Sequence, residues 1–156
     1  MFHKPFDQQL HQKYDTCGRH AVEEIFFNTI VFRVVEPEDK YAVDFFILRG
    51  DKKVGSIEVE VKDKWIGDKY PYPDVHFLER KIKYSSTNCL WVLFNQDCTH
   101  HLLIGVKQIK GCQIRKQPNC LSQGQTEAFY VIPTAQMRYD GLYNLIRYEE
   151  QKQFGY

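Results

Sequence analysis

Long apolar runs are absent from this 156-residue sequence, and so are the short motifs that mark several common classes of enzyme. No stretch approaches the roughly 18 consecutive apolar residues that a membrane-spanning helix needs. The first residues do not follow the basic-then-apolar order of a secretory signal. GxxxxGK[ST], GxGxxG and HExxH patterns are also missing, which argues against P-loop nucleotide hydrolysis, dinucleotide binding and zinc proteolysis. These absences predict a cytoplasmic protein without a membrane partner.

Paired cysteine motifs are missing as well. The five cysteines are an odd number and form no CxxC pair, which favours reduced thiols in a cytosolic setting. A zinc site built from a cysteine- and histidine-containing set is a weak alternative, because its spacings match none of the usual structural zinc patterns. That set comprises Cys98, His100, His101, Cys112 and Cys120.

The net charge is only +1, so overall charge does not indicate nucleic-acid binding, but the charges are unevenly distributed. No acidic residue occurs from Cys98 to Thr126, where four basic residues occur: Lys107, Lys110, Arg115 and Lys116. A second basic cluster contains Arg80, Lys81 and Lys83. Such clusters either follow a phosphate backbone or are ordinary solvated faces, and their composition alone does not decide.

The order of predicted elements is that of an α+β protein. Apolar residues at helical spacing predict a helix near residues 15–30, capped by Asp15 or Thr16 and ending near Asn28. Two strand-like runs that flank a short turn predict a hairpin over residues 40–62. Other predictions are strands at 31–35, 89–95, 101–107 and 127–133, a loop at 63–77, a short helix or structured turn at 78–84, and a closing helix at 139–154. The length fits one domain over residues 1–156.

Charge recurs at every second position of the predicted strand EVEVK, residues 58–62. Because side chains alternate between the faces of a strand, Glu58, Glu60 and Lys62 share one face, and the two valines between them lie on the other. The ordinary interpretation is a solvated sheet face, and the sharper one is a metal site.

A three-residue turn at residues 51–53 sets the predicted hairpin register. Residues whose numbers sum to 104 then lie opposite each other, so Asp44 faces Glu60 while apolar residues pair on the other face. Opposed side chains have Cβ atoms about 4.5–5.5 Å apart, where like charges are destabilising. A divalent cation between the carboxylates removes this repulsion, and Mg²⁺ prefers such oxygen ligands. A solvated or ion-paired sheet face remains the alternative.

These residues resemble the signature of the PD-(D/E)xK nuclease superfamily. Asp44 corresponds to the motif aspartate, and Glu60-Val61-Lys62 corresponds to the (D/E)xK tripeptide. The resemblance extends from the first helix to about residue 95, although the proline of the motif name is missing and no subgroup is identified. It implies a restriction-endonuclease-like α+β core, in which a central mixed sheet is flanked by helices.

The resemblance further implies Mg²⁺-dependent hydrolysis of phosphodiester bonds in DNA, with Mn²⁺ as a substitute. Asp44 and Glu60 are then metal ligands, the Val61 carbonyl adds a ligand, and Lys62 is the catalytic lysine. In many such sites an acidic residue of the first helix completes the ligand set.

Here Glu24 is the candidate for that residue, and Glu58 is an extra carboxylate on the active face that contacts a second metal or faces solvent. The basic residues Arg80, Lys81, Lys83 and Lys64 are candidates for binding the nucleic acid. Family analogy also suggests a homodimer that nicks both strands of a duplex. The alternative is a catalytically inactive protein of the same fold that acts as a nucleic-acid- or protein-binding module.

Overall fold

The computed structural model describes residues 8–39, 42–118 and 126–155. Cys120 and the first two residues of the predicted hairpin lie outside these ranges. The described helices are α1 (Gln8–Phe27), α2 (Val106–Ile109) and α3 (Gly141–Phe154), and two 3₁₀ helices cover Glu79–Ser86 and Thr134–Gln136. The strands are β1 (Arg33–Val35), β2 (Phe45–Arg49), β3 (Lys52–Val61), β4 (Asp74–Leu78), β5 (Cys89–Phe94), β6 (His101–Gly105), β7 (Gln113–Pro118), β8 (Thr126–Pro133) and β9 (Arg138–Tyr139).

The larger sheet has the strand order β1-β2-β3-β5-β6-β9. Its β3–β5 pair is parallel and its other pairs are antiparallel, so the predicted mixed sheet is confirmed. A second, antiparallel sheet has the order β4-β8-β7. None of the described helices has the length and the apolar character that crossing a bilayer requires.

Apolar side chains bury both faces of the larger sheet. One face packs against α1 and α3 through the buried residues Val22, Phe26, Phe45, Ile57, Val92, Phe94, Leu142 and Ile146. The other packs against the smaller sheet through Val75, Phe77, Trp91, Leu93, Tyr130 and Ile132. The expectation that helices flank the sheet is therefore refined, because α1 and α3 cover one face and β4 and β8 cover much of the other.

Several element boundaries differ from the predicted ones. Helix α1 begins at Gln8, so Asp15 and Thr16 lie inside it and the predicted cap is wrong, whereas its end at Phe27 matches the expected end near Asn28. The short helix expected near residues 78–84 is confirmed as the 3₁₀ helix Glu79–Ser86. Strand β4 occupies part of the predicted loop, because Val75 and Phe77 alternate inward although prolines precede them.

The β2–β3 hairpin has a tighter turn than predicted. Arg49 pairs with Lys52 across a two-residue turn in which Gly50 has a φ of 61°, a conformation that favours glycine. Beyond the turn, Leu48 pairs with Lys53 but Ile47 pairs with Gly55, so one extra residue of β3 forms a bulge.

This bulge sets the register that reaches the candidate site. Below it the numbers of paired residues sum to 102, as in Phe45–Ile57, so the predicted sum of 104 is wrong by two. Continuing the ladder by one residue places Asp44 across from Glu58 rather than Glu60. Asp44 and the two glutamates still share one face, as predicted, because the register differs from the predicted one by an even number of residues. Without the bulge the sum would be odd, and Asp44 would lie on the face opposite to the glutamates.

Helix α1 lies close to β3 at Gly18. A Cβ atom at this position would lie 2.9 Å from Val59 Cγ1 and 3.0 Å from Val61 Cγ2. Both contacts are with stiff, β-branched side chains. The glycine therefore permits the close packing that brings the next residue, Arg19, to Asp44 at the start of β2.

We predict that Gly18→Ala lowers the free energy of unfolding. Overpacking typically costs about 1–3 kcal/mol, while the better helix propensity of alanine returns only about 1 kcal/mol. Urea denaturation measures the change, and His20→Ala, at an exposed position of the same helix, is the control and should lie within about 0.5 kcal/mol of the wild type. A stabilised Gly18→Ala protein would contradict the close packing.

A candidate active site of carboxylates and internal cations

Asp44 lies immediately before β2, and both oxygens of its carboxylate have partners. The Val59 backbone N–H donates to Oδ2 at 2.8 Å, and Arg19 Nη2 donates to Oδ1 at 2.7 Å. Burial raises the pKa of Asp44, and the Val59 N–H and the Arg19 guanidinium oppose part of this effect. The Val59 bond attaches the carboxylate to β3 just beyond the last hairpin pair.

Glu58 is buried beside Asp44, with 5% of its surface exposed. Lys81 Nζ lies 3.1 Å from its Oε2, and the Asp44 backbone N–H also donates to its carboxylate. Burial raises the pKa of Glu58, Lys81 counteracts this, and the charge of Asp44 raises it further. The carboxylate pair that the register joins is therefore Asp44 and Glu58.

Lys81 reaches these carboxylates from the 3₁₀ helix Glu79–Ser86. Burial alone would lower its pKa, but the carboxylates of Glu58, Glu60 and Asp44 outweigh burial and raise it above its ordinary value. The ammonium thus carries its positive charge among three acidic groups. Lys81 is therefore paired with an acidic residue rather than being a free member of the basic cluster expected from the sequence.

Glu60 and Lys62 continue the charged face toward the end of β3. Glu60 has an exposed surface, yet the protein atoms around its carboxyl raise its pKa, while Lys62 and Lys81 lower it. The Lys62 backbone N–H donates to the Phe94 carbonyl of β5, whereas the Val59 N–H points to Asp44. Backbone groups of successive residues point to opposite sides of a strand. The Val61 carbonyl therefore points, like the Val59 N–H, toward the side of β3 on which Asp44 lies.

The facing carboxylates do not require a bound metal ion, contrary to the expectation from the sequence, because Arg19 and Lys81 neutralise Asp44 and Glu58. Lys81 was expected to bind nucleic acid, and neither cation was expected to pair with these carboxylates. Both come from elements whose packing no local pattern predicts. The structure therefore shows an ion-paired sheet face. A metal ion at this site would have to compete with these two ion pairs.

The acidic contribution from α1 also differs from the expected one. Asp15, whose Oδ2 lies 3.3 Å from Arg19 Nε, is the α1 carboxylate whose charge acts on Asp44. Glu24 instead lines a cleft with Cys98, His100 and Asp140. The structure therefore does not join Glu24 to the carboxylates around Asp44. The helical spacing of Asp15 and Arg19 was the available signal for this end of α1.

The remaining basic candidates lie at the surface around the site. Arg80 Nε lies 3.3 Å from Glu127 Oε1, and the exposed Lys83 has its Nζ 5.3 Å from the ring centre of Tyr84. Lys64 is exposed and shares a cleft with Lys62 and residues 70, 72, 73, 74 and 76. This places positive charge next to the end of β3.

The donor set suits a hard cation, although it is incomplete as a cage. Within residues 8–39, 42–118 and 126–155, no three His, Cys, Asp or Glu side chains form a group that could hold a metal ion. Mg²⁺ commonly binds through one or two carboxylates, with water and substrate phosphate completing its shell. Asp44 with Glu60 or Glu58, aided by the Val61 carbonyl, supplies oxygen ligands of that kind.

No protein-family model and no curated protein matches this sequence. Among solved structures, the chain is similar to D212, a nuclease from a fusselovirus, with a TM-score of 0.52 and 15% identity over 97% of this chain and 99% of that one. It also matches Hjc, a Holliday junction resolvase from the archaeal hyperthermophile Archaeoglobus fulgidus, with a TM-score of 0.43 and 10% identity over 76% and 84% of the two chains. The similarity to D212 shows that the two chains share a fold, and it confirms the predicted α+β fold.

We predict that Glu58 makes stability fall as pH rises. Its raised pKa means that the folded protein keeps this proton to a higher pH than the unfolded chain does, so stability declines from about pH 4.5, the ordinary value, up through the raised pKa. In Glu58→Gln this part of the decline should disappear from thermal melts recorded across that range. Glu23→Gln, an exposed change of equal charge on α1, is the control, and a steeper decline in Glu58→Gln would contradict the assignment.

Proposed function

We propose that this nuclease-fold chain is a metal-dependent endonuclease that hydrolyses phosphodiester bonds in DNA in the cytoplasm. Mg²⁺ is the proposed cofactor, with Mn²⁺ as a substitute. One observation carries the proposal: the 2.8 Å bond from the Val59 N–H to Asp44 holds that carboxylate against the strand that also presents Glu60 and Lys62. Acidic groups and a lysine on adjoining strand ends suit phosphoryl transfer chemistry.

Asp44 and Glu60 are the proposed metal ligands, with the Val61 carbonyl as a further ligand. Glu60 keeps an exposed surface, so an ion held there would be accessible to an incoming phosphate, whereas Glu58 is buried. An ion held by these groups would supply Lewis acidity to the reaction. Because the register joins Asp44 to Glu58, Glu58 is the candidate for an additional ligand.

Lys62 is the proposed catalytic lysine. Its ammonium extends from the end of β3, next to Glu60, and can orient the attacking water and stabilise negative charge that develops on the phosphate. Lys64 shares its cleft, and Arg80 and Lys83 offer further phosphate contacts. A homodimer would present two such sites to the two strands of a duplex.

A second candidate function is a nuclease-fold protein that binds nucleic acid or protein without cleaving. The observation that favours it is that Asp44 and Glu58 already have protein counter-ions, Arg19 and Lys81. Buried pairs of this kind are stable without any ligand when their hydrogen bonds are satisfied. Metal binding is the property that separates the two candidates.

Metal binding should stabilise the wild-type protein. A divalent ion at about 10–100 times its Kd adds about 1.4–2.7 kcal/mol to the free energy of unfolding. Thermal melts with Mg²⁺ or Mn²⁺ should show this gain, and Asp44→Ala and Glu60→Ala should lose it. Glu24→Ala, which removes a carboxylate from the separate cleft, is the matched control and should retain it. If no divalent ion shifts the wild-type midpoint, the non-cleaving function is favoured.

The catalytic role of Lys62 predicts a defect in cleavage alone. Lys62→Ala should fold and bind Mn²⁺ like the wild type but cleave DNA about 100- to 1,000-fold more slowly, the usual effect of removing a group that stabilises transition-state charge. Linear, supercoiled, branched and single-stranded substrates serve as the assay panel. Lys64→Ala, in the same cleft, should mainly weaken DNA binding. Cleavage by Lys62→Ala at the wild-type rate would refute the role.

A further inference from the structure

The Lys81 ammonium and the proposed metal ion act on the same carboxylates. Lys81 Nζ lies 3.1 Å from Glu58 Oε2, and the charges of Glu60 and Asp44 also act on it. A divalent cation among these groups would stand close to the ammonium and repel it, because the two positive charges interact across a partly buried site. A metal ion and the Lys81 ammonium would therefore compete for these carboxylates.

We propose that Lys81 is a displaceable internal counter-ion. It neutralises the carboxylates before metal binds, competes with the metal for them, and is released when the metal takes its place. The proposal rests on the metal-dependent function above and adds an order to it: metal binding comes first, and the freed Lys81 ammonium then becomes available to the DNA phosphate. The basic role expected for Lys81 from the sequence is thus conditional on the metal.

The two internal cations differ in how firmly they are held. Arg19 contacts three carboxylates, with Asp15 at 3.3 Å, Glu36 at 3.4 Å and Asp44 at 2.7 Å, and it stacks 5.6 Å from the ring centre of Phe45. A planar guanidinium held in this way stays in place. It is therefore expected to remain on Asp44 when metal binds.

The Lys81 side chain, in contrast, is held by fewer contacts and is free to adopt another conformation. Among the described contacts its ammonium makes one hydrogen bond, to Glu58, and 37% of its side chain is exposed, so a path to solvent exists. Its neighbour Arg80 is tied to Glu127 at 3.3 Å, which keeps this part of the 3₁₀ helix in position. Rotation about the flexible lysine stem is then enough to release the charge without moving the backbone.

Calorimetric titration of the whole protein with Mn²⁺, without DNA, tests the competition. Lys81→Met removes the competing charge and should tighten Mn²⁺ binding by at least about fivefold, the lower end of typical coupling between competing equilibria. Lys110→Met, which removes an exposed lysine outside the site, should bind Mn²⁺ as the wild type does. Unchanged or weaker binding by a folded Lys81→Met protein would overturn the proposal.

Amine labelling of the wild-type protein tests the release without any substitution. The reactivity of the Lys81 ε-amino group, read by mass spectrometry, should rise when Mn²⁺ is added, whereas that of the exposed Lys83 on the same 3₁₀ helix should not. Reactivity of Lys81 that stays constant or falls on Mn²⁺ addition would overturn the proposal. This holds even if Lys81→Met fails to fold.

The two proposals fail in distinguishable ways. Wild-type protein that binds Mn²⁺ while Lys81 neither competes nor becomes reactive leaves the proposed function intact and removes the further inference. Absence of Mn²⁺ binding in both proteins contradicts the metal-dependent function together with the role of Lys81.

Discussion

The candidate site depends on one hydrogen bond, from the Val59 backbone N–H to the Asp44 carboxylate. It forms just before the first residue of β2, where β3 continues without a paired strand on that side. The Asp44 side chain there accepts the bond that a backbone carbonyl of β2 would otherwise accept. The bulge near the hairpin turn makes this possible, because it gives β3 the extra residue that places Asp44 and the glutamates on one face. A local irregularity of the strand thus determines which charged groups meet.

The charges that meet there are balanced within the chain. Burial makes the ionised forms of Asp44 and Glu58 costly, and Arg19 and Lys81 offset that cost from two different elements, α1 and the 3₁₀ helix Glu79–Ser86. A metal ion that binds to these groups would compete with protein cations that are already present. The affinity of such a site is therefore a difference between two ion-pairing arrangements rather than the gain from relieving bare repulsion.

Local patterns in the sequence predicted the parts of the structure that local physics controls. The alternation in residues 58–62 correctly identified the charged face of β3, and the apolar runs identified β5 and β6. The register was wrong because it depends on a two-residue turn and a bulge, whose combined effect on strand pairing is not visible in the alternation itself. The second sheet was missed because β4 follows a segment rich in proline and aromatic residues, and β7 carries little apolar pattern of its own.

The partners of the carboxylates were beyond local reasoning for a similar reason. Lys81 was expected in an exposed basic cluster, and only the packing of its 3₁₀ helix against the sheet turns it toward Glu58. Metal binding at these carboxylates is best tested by a crystal structure of the protein grown with Mn²⁺, with anomalous diffraction to locate the ion. We predict an anomalous peak between Asp44 and Glu60, with Lys81 turned away from Glu58. A structure with no peak at these carboxylates, and with Lys81 still bonded to Glu58, would contradict this prediction.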